Sequence, residues 1–243
     1  MKTKIYFYST ILIIGIQSLN GQNNISTIDS DQTYCIQCLT GELFAPDKAT
    51  DPTTWFNTEW LSGDIYLSNG EIVRNKLIRY NGSLDELFWL EPKSGKVVKL
   101  DKEAIVKFHL LNFNEYTSVY FKRLKLKFDV LTDSSEVFVQ EIYNGKLSLY
   151  ILHTFYVQRR EILAKNNVYF EKEIYVEKPV YFLNFKNKKT VTLKSLNCKN
   201  LYAFIPDKKE QIKQFFKLAK KDKIDTYLHM IILMKFLNYI ADQ

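Results

Sequence analysis

Much of what enzymes usually require is scarce in this chain of 243 residues. It has only eight glycines, two of them within the first 21 residues and three in Asn-Gly pairs at Gly70, Gly82 and Gly145, which leaves little material for phosphate-cradling loops. No Walker loop, dinucleotide fingerprint, G-x-S-x-G elbow or H-E-x-x-H occurs, so the common nucleotide, hydrolase and zinc-protease chemistries lack their usual frames. The three histidines, His109, His153 and His229, sit among apolar neighbours and read as structural residues rather than general bases. Arginine is rare too. Only five of the 34 basic residues are arginine, the side chain that grips phosphate in a bidentate fork, and nucleic-acid binding is not expected.

Cysteine is equally sparse. Cys35-Ile36-Gln37-Cys38 has redox spacing, but an activated pair needs a strand before it and a helix after it. Here a polar leader precedes it, and Gly41, Pro46 and Pro52 follow. Cys35 and Cys38 are expected to form a structural disulfide or to be incidental thiols. Cys198, beside Leu196 and Leu201, reads as a small buried residue. The spacing of Cys198 and the histidines does not suggest a zinc site. No catalytic residue, cofactor or metal is therefore expected.

What is present begins at the N-terminus. Lys2 and Lys4 are followed by a twelve-residue apolar run, Ile5 to Ile16, broken by Ser9 and Thr10, and then by the small residues Ser18 and Gly21. That is the layout of a secretory signal peptide. A membrane span needs about 20 apolar residues, so residues 1–21 are expected to be cleaved, leaving no span and an exported chain, periplasmic or secreted, that starts near Gln22. Cleavage would lower the formal net charge from +7 to +5. The remaining charge is uneven: residues 22–150 carry 14 basic and 18 acidic side chains, residues 151–243 carry 18 and 9. Lysines concentrate at Lys186, Lys188 and Lys189 and along Lys209, Lys213, Lys217 and Lys220, the best candidate binding patch. Such a ridge can meet an anionic envelope component, although lysine on a surface usually serves solubility.

Residues 22–57 read as a flexible leader and loop. From residue 58 to 112, short alternating runs separated by Asn69-Gly70, Asn81-Gly82 and Pro92 to Gly95 predict five or six strands, a spacing that suggests a small SH3-like or Sm-like barrel. Residues 113–243 predict a larger antiparallel sheet whose longer runs include 119–128, 137–143, 146–157, 168–176 and 180–185, followed by helices. Pro206, Asp207 and Glu210 give a capping-box-like start to a helix reaching about Lys221, with Ile212, Phe215, Phe216 and Ala219 on one face. The final helix, 224–240, is apolar nearly all round. Leu228, Ile232 and Phe236 recur along it every four residues and are expected to be buried.

The strings YNGKLSLY (Tyr143 to Tyr150), KPVYFL (Lys178 to Leu183) and FIPDKKEQIKQFFK (Phe204 to Lys217) resemble an uncharacterised family of exported proteins from Gram-negative bacteria. Those proteins share the order of signal peptide, NG hairpin, strand-rich middle and a lysine-rich FPDK-type helix. Ile205 here stands where that pattern has phenylalanine or another apolar residue. The resemblance implies export and fold, and no activity.

The sequence therefore predicts an exported α+β chain: mainly antiparallel β with a C-terminal helical pair. The expected role is that of a non-catalytic interaction or structural module of the periplasm or cell envelope. The alternative is a small periplasmic hydrolase or thiol redox enzyme whose site is assembled from distant residues.

Overall fold

The computed structural model describes residues 39–44, 54–114, 117–127, 134–163, 169–185 and 190–241. The expected signal peptide, most of the leader, Cys35 and Cys38, and Lys186, Lys188 and Lys189 lie outside the described residues.

Thirteen strands come first: β1 (Gly41–Phe44), β2 (Leu61–Leu67), β3 (Ile72–Asn81), β4 (Glu86–Leu90), β5 (Val97–Leu100), β6 (Ile105–Asn114), β7 (Thr117–Lys127), β8 (Ser134–Tyr143), β9 (Leu147–Leu152), β10 (Phe155–Leu163), β11 (Tyr169–Glu177), β12 (Val180–Phe185) and β13 (Val191–Leu193). Then follow β14 (Leu196–Asn197), α1 (Cys198–Phe204), α2 (Lys209–Ala219), β15 (Lys223–Ile224) and α3 (Tyr227–Ala241). Eleven strands form one antiparallel sheet in the order β1-β5-β4-β3-β2-β6-β7-β8-β9-β12-β13. The fold is thus mainly antiparallel β with C-terminal helices.

Turn chemistry sets the meander. Gly70 and Gly95 take φ of +90° and +66°, which only glycine adopts without cost, and Gly95 N–H closes its turn on Glu91 O at 2.8 Å. Within residues 58–112, β2 pairs with both β3 and β6. However, β6 also pairs with β7, so this segment opens the long sheet, and no pair among the described residues closes it into a barrel. The stretch 39–57, expected to be loop, supplies edge strand β1. Its Gly41 lies so close to β5 that a Cβ would sit 2.3 Å from Lys99 O.

The ribbon β10–β11 leaves the sheet for a physical reason. The pairs from Leu163↔Tyr169 to Phe155↔Glu177 and those from Leu152↔Val180 to Leu147↔Phe185 keep one register, so β9–β10 and β11–β12 form a single long hairpin. In that register Pro179 stands opposite His153. Proline has no N–H to give the ladder, and the sheet breaks there. Lys178 N–H donates to Thr154 O at 2.7 Å, and Thr154 Oγ1 donates to Lys178 O, which holds the two sides of the break together.

Two cores result. Between β2 and β8 the core is aromatic: Tyr80, Phe88, Phe108, Phe121 and Phe138 are fully buried, with the Phe108 and Phe121 rings stacked at 4.7 Å. A polar clamp seals it. Asp85, held at φ +56° in the β3–β4 turn, accepts from Tyr80 Oη at 2.7 Å and from Phe138 N–H at 3.0 Å, and pairs with Lys102. Burial, with the Asp85 carboxylate second, keeps the Tyr80 phenol well above its ordinary pKa. The second core is aliphatic and lies between β8, β9, β12 and the helices.

The helices correct two expectations. α2 follows a 3-10 turn, Pro206–Lys208, and its N-cap Lys208 makes no side-chain capping bond, so the capping box does not form. In α3 the buried residues are Met230, Leu233, Met234, Leu237 and Ile240, whereas Leu228 is 65% exposed, Ile232 44% exposed and Phe236 half-buried. Asn238 fixes this rotation. Its amide accepts from Leu147 N–H and donates to Leu147 O, both at 2.9 Å, in the manner of a strand partner. A helix apolar all round carries no polar stripe to say which side faces the sheet.

Candidate functional site

Two concave surfaces stand out, one on each side of α3. The first is a cavity of about 490 Å³ at the break in the long hairpin. His153, opposite Pro179 in the hairpin register, is buried and lines this cavity. Its Nε2 meets Gln140 Oε1 at 2.9 Å, and its Nδ1 meets Glu177 Oε1 at 2.5 Å. Both ring nitrogens thus face side-chain oxygens. Gln140 pairs with Ile151 across β8–β9, which puts His153 on its diagonal on the same face.

The imidazole and Gln140 are buried, whereas Glu177 is half-exposed at the mouth. Phe56 packs edge-on to the His153 ring at 4.8 Å and stacks on Phe113 at 4.9 Å. Asp225 from the approach to α3, Tyr227 from its first position and Tyr181 from β12 complete the polar lining. Burial raises the Tyr181 phenol pKa, and the Asp225 and Glu177 carboxylates raise it further, so both carboxylates act on one hydroxyl. The only hydroxyls in the described lining are the phenols of Tyr181 and Tyr227. The arrangement can orient a polar group against the fixed imidazole and the two carboxylates.

The second surface is a groove of about 630 Å³ between α2 and α3, with Phe215, Leu218 and Ala219 on one wall and Ile232, Phe236 and Tyr239 on the other. Phe215 and Phe236 stack at 4.8 Å along its floor. Leu218 is 83% exposed and Tyr239 66% exposed. His229, whose Nδ1 lies 2.5 Å from Thr226 Oγ1, also lines it.

The lysines expected to form a patch are only partly gathered. Lys217 and Lys220 line a cleft of about 310 Å³ with Lys221, Asp222 and half-buried Cys198. Lys213 is 2.8 Å from Glu210; their hydrogen bond raises the lysine pKa and lowers that of the carboxyl. Lys209 lies over the Tyr202 ring, 5.3 Å from its centroid. Lys220 ends α2 in the left-handed region, at φ +51°. Of the other histidines, His109 is buried and stacked on Tyr120 at 4.0 Å, and burial lowers its pKa.

Sequence reasoning missed the His153–Glu177–Gln140 chain. The available signal was Pro179 between two strand runs: carried through the hairpin register, it places His153 opposite the proline and Glu177 diagonal to it.

Among the described residues no helix is long and apolar enough to cross a membrane, and no group of three His, Cys, Asp or Glu side chains is placed to hold a metal ion. Compared with known proteins, the chain matches no family model, no curated protein and no solved structure.

Proposed function

We propose that the chain is an exported, non-catalytic interaction module of the periplasm or cell envelope, and that a partner protein lays an apolar helix or segment in the groove between α2 and α3. The observation that carries this reading is the groove itself. Leu218, Ile232 and Tyr239 keep large apolar surfaces in water side by side, and contiguous exposed apolar surface of this kind marks interaction sites. Export rests on the layout of residues 1–21, and the resemblance to an exported family agrees with it. An anionic envelope component is a subsidiary partner for the cleft of Lys217, Lys220 and Lys221. A small periplasmic enzyme is the second reading. It is favoured by His153 and Glu177 meeting at a cavity, and weakened by the lack of any hydroxyl other than a phenol in the described lining.

The test is capture from a periplasmic extract on the mature protein and on a Leu218→Asp/Ile232→Asp variant. The expected result is a partner held by the first and lost from the second while the melting temperature is unchanged. The same proteins captured by both would remove the groove as the docking site. Loss confined to a Lys217→Glu/Lys220→Glu variant would move the contact to the basic cleft.

A further inference from the structure

We propose that the cavity at the break in the long hairpin binds an organic cation with an apolar body, such as an arylalkyl ammonium. Its volume, about 490 Å³, lies in the range of small-molecule sites, and its walls are of the expected kind: mostly apolar and aromatic with a few converging polar groups. Phe56, Phe113, Ile151 and Met230 offer an apolar interior. The charge at the mouth decides the sign of the ligand. Glu177 and Asp225 both lie on the lining, and the only basic group on the described lining is His153, whose Nδ1 is already met by Glu177.

An anionic ligand would face two carboxylates. A cationic one would meet them together with aromatic rings, whose faces attract positive charge. Asp225 is the freer of the two carboxylates. Among the described residues its ion-pair partner is Lys223 at 3.9 Å, and both side chains are more than half exposed. Glu177 is held by the imidazole, which in turn is fixed by Gln140, so this carboxylate is a preorganised acceptor. The Tyr181 phenol, its pKa raised by burial and then by both carboxylates, adds a hydroxyl oxygen that can accept from the ammonium. The inference is independent of the groove, which lies on the other flank of α3 and shares no lining residue with the cavity.

Titration calorimetry of the mature protein with three probes of matched shape tests it: 2-phenylethylammonium, 2-phenylethanol and 3-phenylpropionate. The ammonium should bind saturably, the alcohol more weakly and the carboxylate least. Asp225→Lys, a change at an exposed position that should leave folding intact, should weaken the ammonium by about tenfold or more. Ile232→Ser, in the groove, should leave its affinity unchanged. Three outcomes would overturn the proposal: a carboxylate that binds as tightly as the ammonium, no saturable heat from the ammonium at millimolar concentration, or an affinity indifferent to Asp225→Lys but lost with Ile232→Ser.

Discussion

The β2–β8 region and the helical region dispose of their apolar side chains in opposite ways. In the first, five aromatic residues are wholly enclosed, the sheet wraps them, and Asp85 ties the β3–β4 turn to β8. The large apolar residues left outside there include Ile72 on β3, Val106 on β6 and Leu84 in the β3–β4 turn. In the second region, Leu, Ile and Met residues fill the space under α2 and α3, yet α3 has more apolar positions than the sheet can cover. Most of the surplus collects in one groove, while Leu228 lines the cavity on the other flank. Singly exposed apolar residues are ordinary on any surface, whereas a gathered surplus on two adjacent helices indicates a second surface with its own use.

The largest effects should come from within the two cores. Phe121→Ala should cost about 4 kcal/mol and Leu237→Ala about 3 kcal/mol, the range for truncating wholly buried side chains. Urea melts of the two variants compare the regions directly. If Leu237→Ala melted like the parent, the helices would not share the core of the sheet.

The clamp should matter less, and in a pH-dependent way. Removing one partner of a part-buried polar cluster, as in Asp85→Ala, should cost about 2 to 3 kcal/mol by stranding the Tyr80 hydroxyl and the Phe138 N–H. Because burial and Asp85 raise the Tyr80 pKa in the folded state, the neutral phenol favours folding. Stability from this group is complete below the unfolded value of 10.0 and is lost as pH rises beyond it. Alkaline melts should therefore show a loss of stability above that pH that Tyr80→Phe reduces. An equal loss in both proteins would place the alkaline sensitivity elsewhere.

Much of this architecture is legible in the sequence wherever a local rule acts alone. Asn69-Gly70, Pro92 to Gly95 and Asn144-Gly145 mark turns because proline fixes the backbone and glycine permits conformations that other residues resist, and the runs 119–128, 137–143, 168–176 and 180–185 overlap β7, β8, β11 and β12, whereas 146–157 spans β9, the break and the start of β10. The helical face Ile212, Phe215, Phe216 and Ala219 is legible from its spacing; Ile212 and Phe216 are buried and the other two half-buried. The rotation of α3 is not legible, since Leu228, Ile232 and Phe236 make as good a stripe as Met230, Leu233 and Leu237. Only the long-range pairing of Asn238 with Leu147 chooses between them. The cavity is hidden for a related reason. His153 and Glu177 meet through the hairpin register, but Asp225 and Tyr227 join the same lining from the start of the last helix, which no local spacing encodes.

The central claim is that the outer apolar faces of α2 and α3 serve a partner rather than the fold, and denaturant unfolding of a Leu218→Ser/Ile232→Ser variant tests it most directly. Both residues are exposed, so the account predicts a change in unfolding free energy of no more than about 1 kcal/mol for the pair, with the denaturant slope unchanged. A loss of about 3 kcal/mol or more, the scale of a core truncation, would show that these side chains hold the protein together and would contradict the account.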